Sequence, residues 1–226
     1  MKIQGLQKLT LLDFPGQVAC IIFTAGCSFR CPFCHNATLV KGEGADISEE
    51  EVLSYLKKRQ GILDGVVITG GEPTIQKGLR EFIIKVKDLG YKVKLDTNGY
   101  QPEVLESLLN EGLLDYVAMD IKNSKEKYSV TIGLQKVDFS RIERSIEILK
   151  NCTIPYEFRT TTMAELHTEE DVKGVGQLAQ GAKKIFIQSF KDSGDILCGT
   201  FTPPNDEKIA IFKDILTNFV DEVGTR

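Results

Sequence analysis

The segment TAGCSFRCPFCHN, residues 24–36, carries Cys27, Cys31 and Cys34 in the spacing C-x-x-x-C-x-x-C. Three is an awkward number of cysteines. A closed structural zinc site takes four ligands. Disulfides need an even count, and a haem tether needs C-x-x-C-H. Cys31 to His35 does match the haem pattern, but it leaves Cys27 unexplained, and the chain has only one other histidine, His167. A Cys₃His zinc site would require adjacent Cys34 and His35 to reach one tetrahedral ion together, for which neighbours have little freedom. Thiols without metal remain open, although three clustered cysteines seldom arise for packing alone. An iron–sulfur cubane held by three thiolates uses all of them and leaves one iron open. An open coordination position marks catalytic rather than structural metal chemistry.

The rest of the chain suits such a centre. Its 226 residues are 42% hydrophobic and 27% charged, the composition of a globular protein able to bury a core without staples. The formal net charge is −4 and no run of five like charges occurs, which argues against a polybasic surface for nucleic acid or membrane. The N-terminal MKIQGLQKLTLLDFPGQ lacks an apolar signal-peptide region, and no apolar stretch nears the ~20 residues of a membrane span. A cytoplasmic location with reduced thiols is expected. No Pro-, Gly- or Ser-rich linker interrupts the chain, so 1–226 reads as a single domain.

Apolar runs at 19–23, 65–69, 91–97, 116–121, 156–162 and 183–190 read as strands. Helical periodicity falls between them. Ser48 is expected as an N-cap with Glu51 closing a capping box, and Thr168 with Asp171 as an N-cap with an acidic first turn. IQKGLREFIIKVKDLG (75–90) and PEVLESLLNEG (102–112) read as helices closed by Gly90 and Gly112. Further helices are expected in 139–151, 168–181 and 205–220. Six βα repeats predict an α/β fold with a parallel sheet, either an open sheet or a partial barrel. The polar clusters AGCSFRC, TGGEP, DTNG, MDIK and QSF each follow or end a predicted strand, with Arg159 inside the fifth. All of them therefore fall on one predicted rim, where parallel α/β proteins place their chemistry.

With TGGEP (69–73) added, the cysteine motif resembles the radical S-adenosylmethionine (SAM) superfamily, over about residues 3–215. That resemblance implies a partial (β/α)₆ TIM-like barrel and a [4Fe–4S] cluster on Cys27, Cys31 and Cys34, with SAM as the fourth ligand. It places Phe33 and His35 beside the adenine, and Gly70, Gly71 and Glu72 at the SAM amino group. Lys122 and Arg159 would face the methionine carboxylate, with Asp120 and Gln188 also near SAM. Asp96, Thr97 and Asp120 would form a site for a monovalent cation, and Asp13 would contact the substrate loop.

Within the superfamily, DTNG (96–99) and MDIK (119–122) look like the glycyl-radical-enzyme activases. LLDFPGQVACIIFTAGCSFRCPFCHN (11–36) is most similar to the anaerobic ribonucleoside-triphosphate reductase activating proteins. Two departures point away from the pyruvate formate-lyase type. Its D-G-P-G-x-R pattern is here Asp13-Phe-Pro-Gly-Gln-Val18, and Gln188 stands where that type has histidine. The resemblance implies an enzyme that cleaves SAM reductively and takes hydrogen from a backbone glycine of a partner, with a donor such as flavodoxin supplying the electron. Other expected readings are an activase of another glycyl radical enzyme, a radical SAM enzyme of a small molecule, and a non-catalytic cluster or zinc module. Cys20 and Cys152 read as small core residues, while Cys198 lies on the expected rim with its role open. GVGQLA (174–179) mimics a dinucleotide fingerprint but lies in a helical pattern, which is the wrong context.

Overall fold

The computed structural model describes residues 1–192 and 194–226, in two compact units. The first comprises Met1–Ser28, Thr38–Thr97 and Glu103–Val117; the second comprises Phe29–Ala37, Asn98–Pro102 and Ala118–Arg226.

In the first unit, β1 (Ile3–Thr10) and β2 (Ala19–Thr24) are followed by α1 (Ala37–Lys41), which begins on the last residue of a second-unit segment. Then come α2 (Glu49–Lys57), β3 (Gly65–Gly70), a 3₁₀ turn (Pro73–Ile75), α3 (Leu79–Asp88), β4 (Lys92–Thr97) and α4 (Pro102–Asn110). The strands lie side by side in chain order. β2, β3 and β4 are parallel, with Cys20 opposite Val66 and Thr24 opposite Gly70, so the carboxyl ends of β2 and β3 come together. Phe14 anchors the base of this sheet among Ala19, Ile21, Val67 and Tyr116.

The structure departs from the sequence expectation here at β1 and at the start of α3. β1 was not expected, and it runs antiparallel to β2. Its apolar residues do not alternate cleanly, because it is an edge strand with Gln7, Lys8 and Leu9 exposed. The helix expected over 75–90 starts only at Leu79, because Gly78 adopts φ 83°, a left-handed conformation that separates the 3₁₀ turn from α3. α3 then buries Leu79, Phe82, Ile83 and Val86 on one face. At Ser48 the side chain accepts from the Glu51 amide, the N-cap half of the expected box.

β5 (Tyr116–Asp120) carries the chain into the second unit. There follow α5 (Tyr128–Thr131), α6 (Phe139–Lys150), β6 (Tyr156–Thr162), α7 (Glu169–Leu178), β7 (Lys184–Ser189), α8 (Asp206–Leu216) and β8 (Glu222–Thr225). β6, β7 and β8 run parallel, with Arg159 opposite Phe186 and Thr161 opposite Gln188. β8 was not expected either. Four residues with little apolar content give no periodic signal, and the strand exists by pairing with β7. α6 buries Phe139, Ile142, Ile146 and Leu149, one side of a helix. Thr168 and Asp171 form a reciprocal capping box at the start of α7. GVGQLA falls largely within α7, as its helical pattern implied. Among the described residues, no helix is long and apolar enough to cross a membrane.

Candidate active site

The first unit presents the ends of β2, β3 and β4. Beyond β3 the chain turns back onto β2: the Gly71 amide donates to the Thr24 carbonyl at 2.9 Å, and the Glu72 amide to the Gly26 carbonyl at 2.8 Å. This close pairing explains the two glycines. A Cβ on Gly71 would stand 1.9 Å from the Gly26 oxygen, and one on Gly70, whose φ is +118°, would stand 2.3 Å from the Thr24 nitrogen. The sequence suggested that these glycines make room for a ligand. The structure gives each a backbone neighbour, and so ties TGGEP to the residues just before Cys27.

Glu72 is wholly buried. Its Oε1 accepts from the Thr74 amide at 3.1 Å, the Thr74 hydroxyl at 2.5 Å and the Thr97 hydroxyl at 2.7 Å. Pro73 occupies the first turn of the 3₁₀ segment that Glu72 caps. Asp96 pairs with Lys94, two residues back on the same strand face, and Lys94 is itself buried. Asp96 and Thr97 thus both have protein partners.

Asp13 lies in the turn that precedes β2, where the Thr10 hydroxyl donates to its carboxylate. Gly70 ends β3 and Gly71 follows it, while Asp13 belongs to the opposite end of the β2–β3 pair. Asp13 therefore stands apart from the Gly70–Gly71 turn.

In the second unit, the loop of Cys31, Phe33, Cys34 and His35 is braced from two sides. On one side the Arg30 amide donates to the Ile132 carbonyl at 2.8 Å. Next to it, a Cβ on Gly133 would meet the Arg30 carbonyl oxygen at 2.1 Å. On the other side runs the segment after β7. Leu197 N donates to Cys34 O at 3.1 Å, Cys198 N to Pro32 O at 3.0 Å, and Ala37 N to Asp195 O at 3.1 Å. Phe33 is buried and meets Phe201 edge-on at 6.1 Å, and Phe201 meets Phe190 in the same way at 6.0 Å. Cys31 is buried, Cys34 half-buried and Cys198 exposed. His35 reaches solvent, but the surrounding protein desolvates its ring enough to lower its pKa, and Lys122 adds to the effect.

Beside this loop stands a three-residue charge cluster. Asp120 ends β5; its Oδ2 accepts from Lys122 Nζ at 2.8 Å and its Oδ1 from Arg159 Nε of β6 at 2.9 Å. Burial alone would raise the Asp120 pKa, but the charges of Arg159 and Lys122 outweigh it and hold the carboxyl far below the usual range. Burial alone would lower the Lys122 pKa, yet the Asp120 carboxylate, with Cys31 and Cys34 adding to the effect, holds it above the ordinary lysine range. Two cations against one carboxylate leave one positive charge in excess, which suits a further anion. The choice between ligand contact and salt bridge at Lys122 and Arg159 is thus not exclusive, because one carboxylate orients both. Gln188 is half-buried near the carboxyl end of β7.

Sequence reasoning gave no role to Thr74, Lys94, Tyr128 or Phe201, and found none for His167. Each acts here through a partner in the fold, and Thr74 directly follows the TGGEP motif. Cys20 is buried in β2, where burial pushes its thiol up to about 12. Cys152 donates to the Ile154 carbonyl at 3.3 Å. No disulfide joins any of the six cysteines. Among the described residues, no three His, Cys, Asp or Glu side chains close around one metal ion. A cubane makes a different demand, since each thiolate binds its own iron.

Residues 21–179 match the family model of the radical SAM superfamily. A provisionally assigned glycyl-radical enzyme activating enzyme of Methanocaldococcus jannaschii is 30% identical over 99% of this chain and 95% of its own. The pyruvate formate-lyase-activating enzyme of Clostridium pasteurianum is 30% identical over 65% of this chain and 63% of its own. Among solved structures, a radical SAM methyltransferase from Sphaerobacter thermophilus superposes with a TM-score of 0.73 at 14% identity, over 96% of this chain and 68% of that one. Streptococcus suis SuiB bound to S-adenosylmethionine gives 0.69 at 13% identity, over 91% and 49%. These likenesses show the fold: an α/β partial barrel of the type those proteins share.

Proposed function

Because the chain belongs to the radical SAM superfamily, we propose that it is a glycyl-radical-enzyme activating enzyme whose target is anaerobic ribonucleoside-triphosphate reductase. The observation that carries the activase reading is the match to the Methanocaldococcus jannaschii protein along nearly the full length of both chains. The choice of target rests on the LLDFPGQ segment and on Gln188, which depart from the formate-lyase type.

The residues present fit the cofactors of that superfamily. Cys27, Cys31 and Cys34 supply soft thiolate donors, and the Phe29–Ala37 loop that carries the last two is pinned by backbone hydrogen bonds. When bound, a [4Fe–4S] cluster reduced by a donor such as flavodoxin would supply the electron for reductive cleavage of SAM, the chemistry by which hydrogen would be taken from a backbone glycine of the partner. The chain's own residues bind and orient. Lys122 and Arg159, set by Asp120, receive the methionine carboxylate through charge-assisted hydrogen bonds. Phe33 offers a buried aromatic wall to the adenine, and His35 and Gln188 complete its surroundings. The backbone at Gly70 and Gly71, with the Glu72 carboxylate behind it, receives the amino group. Asp96, Thr97 and Asp120, the residues expected at a monovalent-cation site, are each also engaged by protein groups.

A second reading, activation of a formate-lyase-type enzyme, is favoured by the match to the Clostridium pasteurianum activase. One experiment separates the two. The cluster is reconstituted anaerobically, SAM and reductant are added, and the same organism's anaerobic ribonucleotide reductase is supplied. Electron paramagnetic resonance follows the glycyl radical while 5′-deoxyadenosine is assayed in parallel. A radical that disappears in Cys27→Ala establishes chemistry and target together. Deoxyadenosine without a radical keeps the chemistry and redirects the target. Neither product from an intact cluster refutes the activase reading.

A further inference from the structure

His167 is wholly buried, lies outside every motif considered so far, and makes two hydrogen bonds that the mechanism leaves unused. It closes the turn after β6, with its amide donating to the Met163 carbonyl at 3.1 Å. Its ring then reaches back: Nδ1 stands 3.3 Å from the Met163 amide, and Nε2 stands 3.1 Å from the Lys122 carbonyl. Both partners are backbone groups with a single role each. An amide N–H can only donate, so Nδ1 must present its lone pair. A carbonyl can only accept, so Nε2 must carry the proton. The two contacts therefore define one species, the neutral Nε2–H tautomer, and an imidazolium would set N–H against N–H at Met163.

The Lys122 peptide that His167 holds is the one whose side chain meets Asp120. Its amide faces the hydroxyl of buried Tyr128 at 3.5 Å, and the preceding Ile121 amide donates to the Arg159 carbonyl at 2.8 Å. Asn123, also buried, donates to the Leu166 carbonyl at 3.1 Å. The Met163–His167 turn thus grips the segment after β5 at two successive residues. Without the bond to its carbonyl, the Lys122 peptide could rotate and take the ammonium off its line.

We infer that His167 is a positioning residue for SAM. As a neutral Nε2–H tautomer it fixes the Lys122 peptide and so aims the ammonium at the ligand carboxylate. This rests on the proposed role of Lys122, and two variants separate the inference from that premise. Glutamine places its amide nitrogen near the position of Nε2 and keeps a donor for Lys122. Asparagine places its oxygen near Nδ1, keeping the acceptor for Met163 while losing the contact to Lys122. SAM binding is measured by calorimetry on the cluster-loaded, unreduced protein, so that no turnover intervenes. His167→Gln should bind within about threefold of wild type and His167→Asn about tenfold more weakly, the worth of one hydrogen bond, with similar melting temperatures. Equal affinities for the two variants would overturn the inference and leave the proposed function standing. Nitrogen-15 NMR of the wild-type histidines provides a readout independent of ligand and of variant folding. A neutral Nε2–H signal for His167 across the neutral pH range is expected, and an Nδ1–H or imidazolium signal overturns the inference. If wild type binds no SAM, the proposed function falls, and the NMR spectrum still decides the state of His167.

Discussion

Replacing Asp120 with asparagine tests the charge cluster directly. In the native protein one carboxylate accepts from Lys122 at 2.8 Å and from Arg159 at 2.9 Å. Hydrogen bonds to charged groups contribute about 1.5–3 kcal/mol each, so the gross contribution of the two is about 3–6 kcal/mol. The carboxamide keeps the shape but puts an N–H donor where one oxygen accepted, and it removes the anion that separates two largely buried cations. Breaking a buried ion pair from one side costs about 3–5 kcal/mol. Asp120→Asn should therefore lower stability by about that amount, and the melting temperature by about 10 °C for a chain of this size. The pH dependence follows from the depressed carboxyl. Such a group contributes stability that is complete above its unfolded pKa of about 4 and is lost as pH falls through its lower folded value. The difference between wild type and variant in urea unfolding should thus be constant from neutral pH down to about 5 and shrink below about 4. A difference under about 1 kcal/mol at neutral pH, the usual worth of an exposed pair, would refute the reasoning.

Gly71→Ala should abolish cooperative folding or cost more than about 4 kcal/mol, because its Cβ meets the Gly26 backbone oxygen at 1.9 Å, with no flexible side chain to yield; circular dichroism melts would show it. Thr168→Ala removes half of the reciprocal box at α7 and should cost about 1–2 kcal/mol in chemical unfolding. Phe201→Ala deletes edge-on contacts to Phe33 and Phe190, each worth about 0.5–1.5 kcal/mol, and should speed the loss of visible cluster absorbance in air. In the folded apoprotein at mildly alkaline pH, exposed Cys198 should react early with a thiol reagent. Cys20, its thiol pushed up to about 12, should react only on unfolding, as mass spectrometry of the labelled peptides would report.

The features legible in the sequence are those whose cause lies within a few residues. The spacing of Cys27, Cys31 and Cys34 states its chemistry without a fold, because ligand type and number are local. Ser48 and Thr168 cap their helices through groups three residues away. The inner strands β2, β3 and β5 are apolar because both faces are covered, and a continuous apolar run is visible as such. What required the tertiary structure is held by distant partners. β1 and β8 have weak patterns of their own and exist through pairing with β2 and β7. Gly71 is glycine because Gly26 lies against it, Asp120 meets Arg159 thirty-nine residues on, and His167 meets Lys122 forty-five residues back. Asp13, five residues before the Val18 that breaks the expected pattern, could be placed at the far end of β2 only by the strand register. Short-range sterics and ligand chemistry are written residue by residue. The pairing of charges and the tautomer of a buried ring depend on which remote groups the fold brings within about 3 Å, the range of a hydrogen bond.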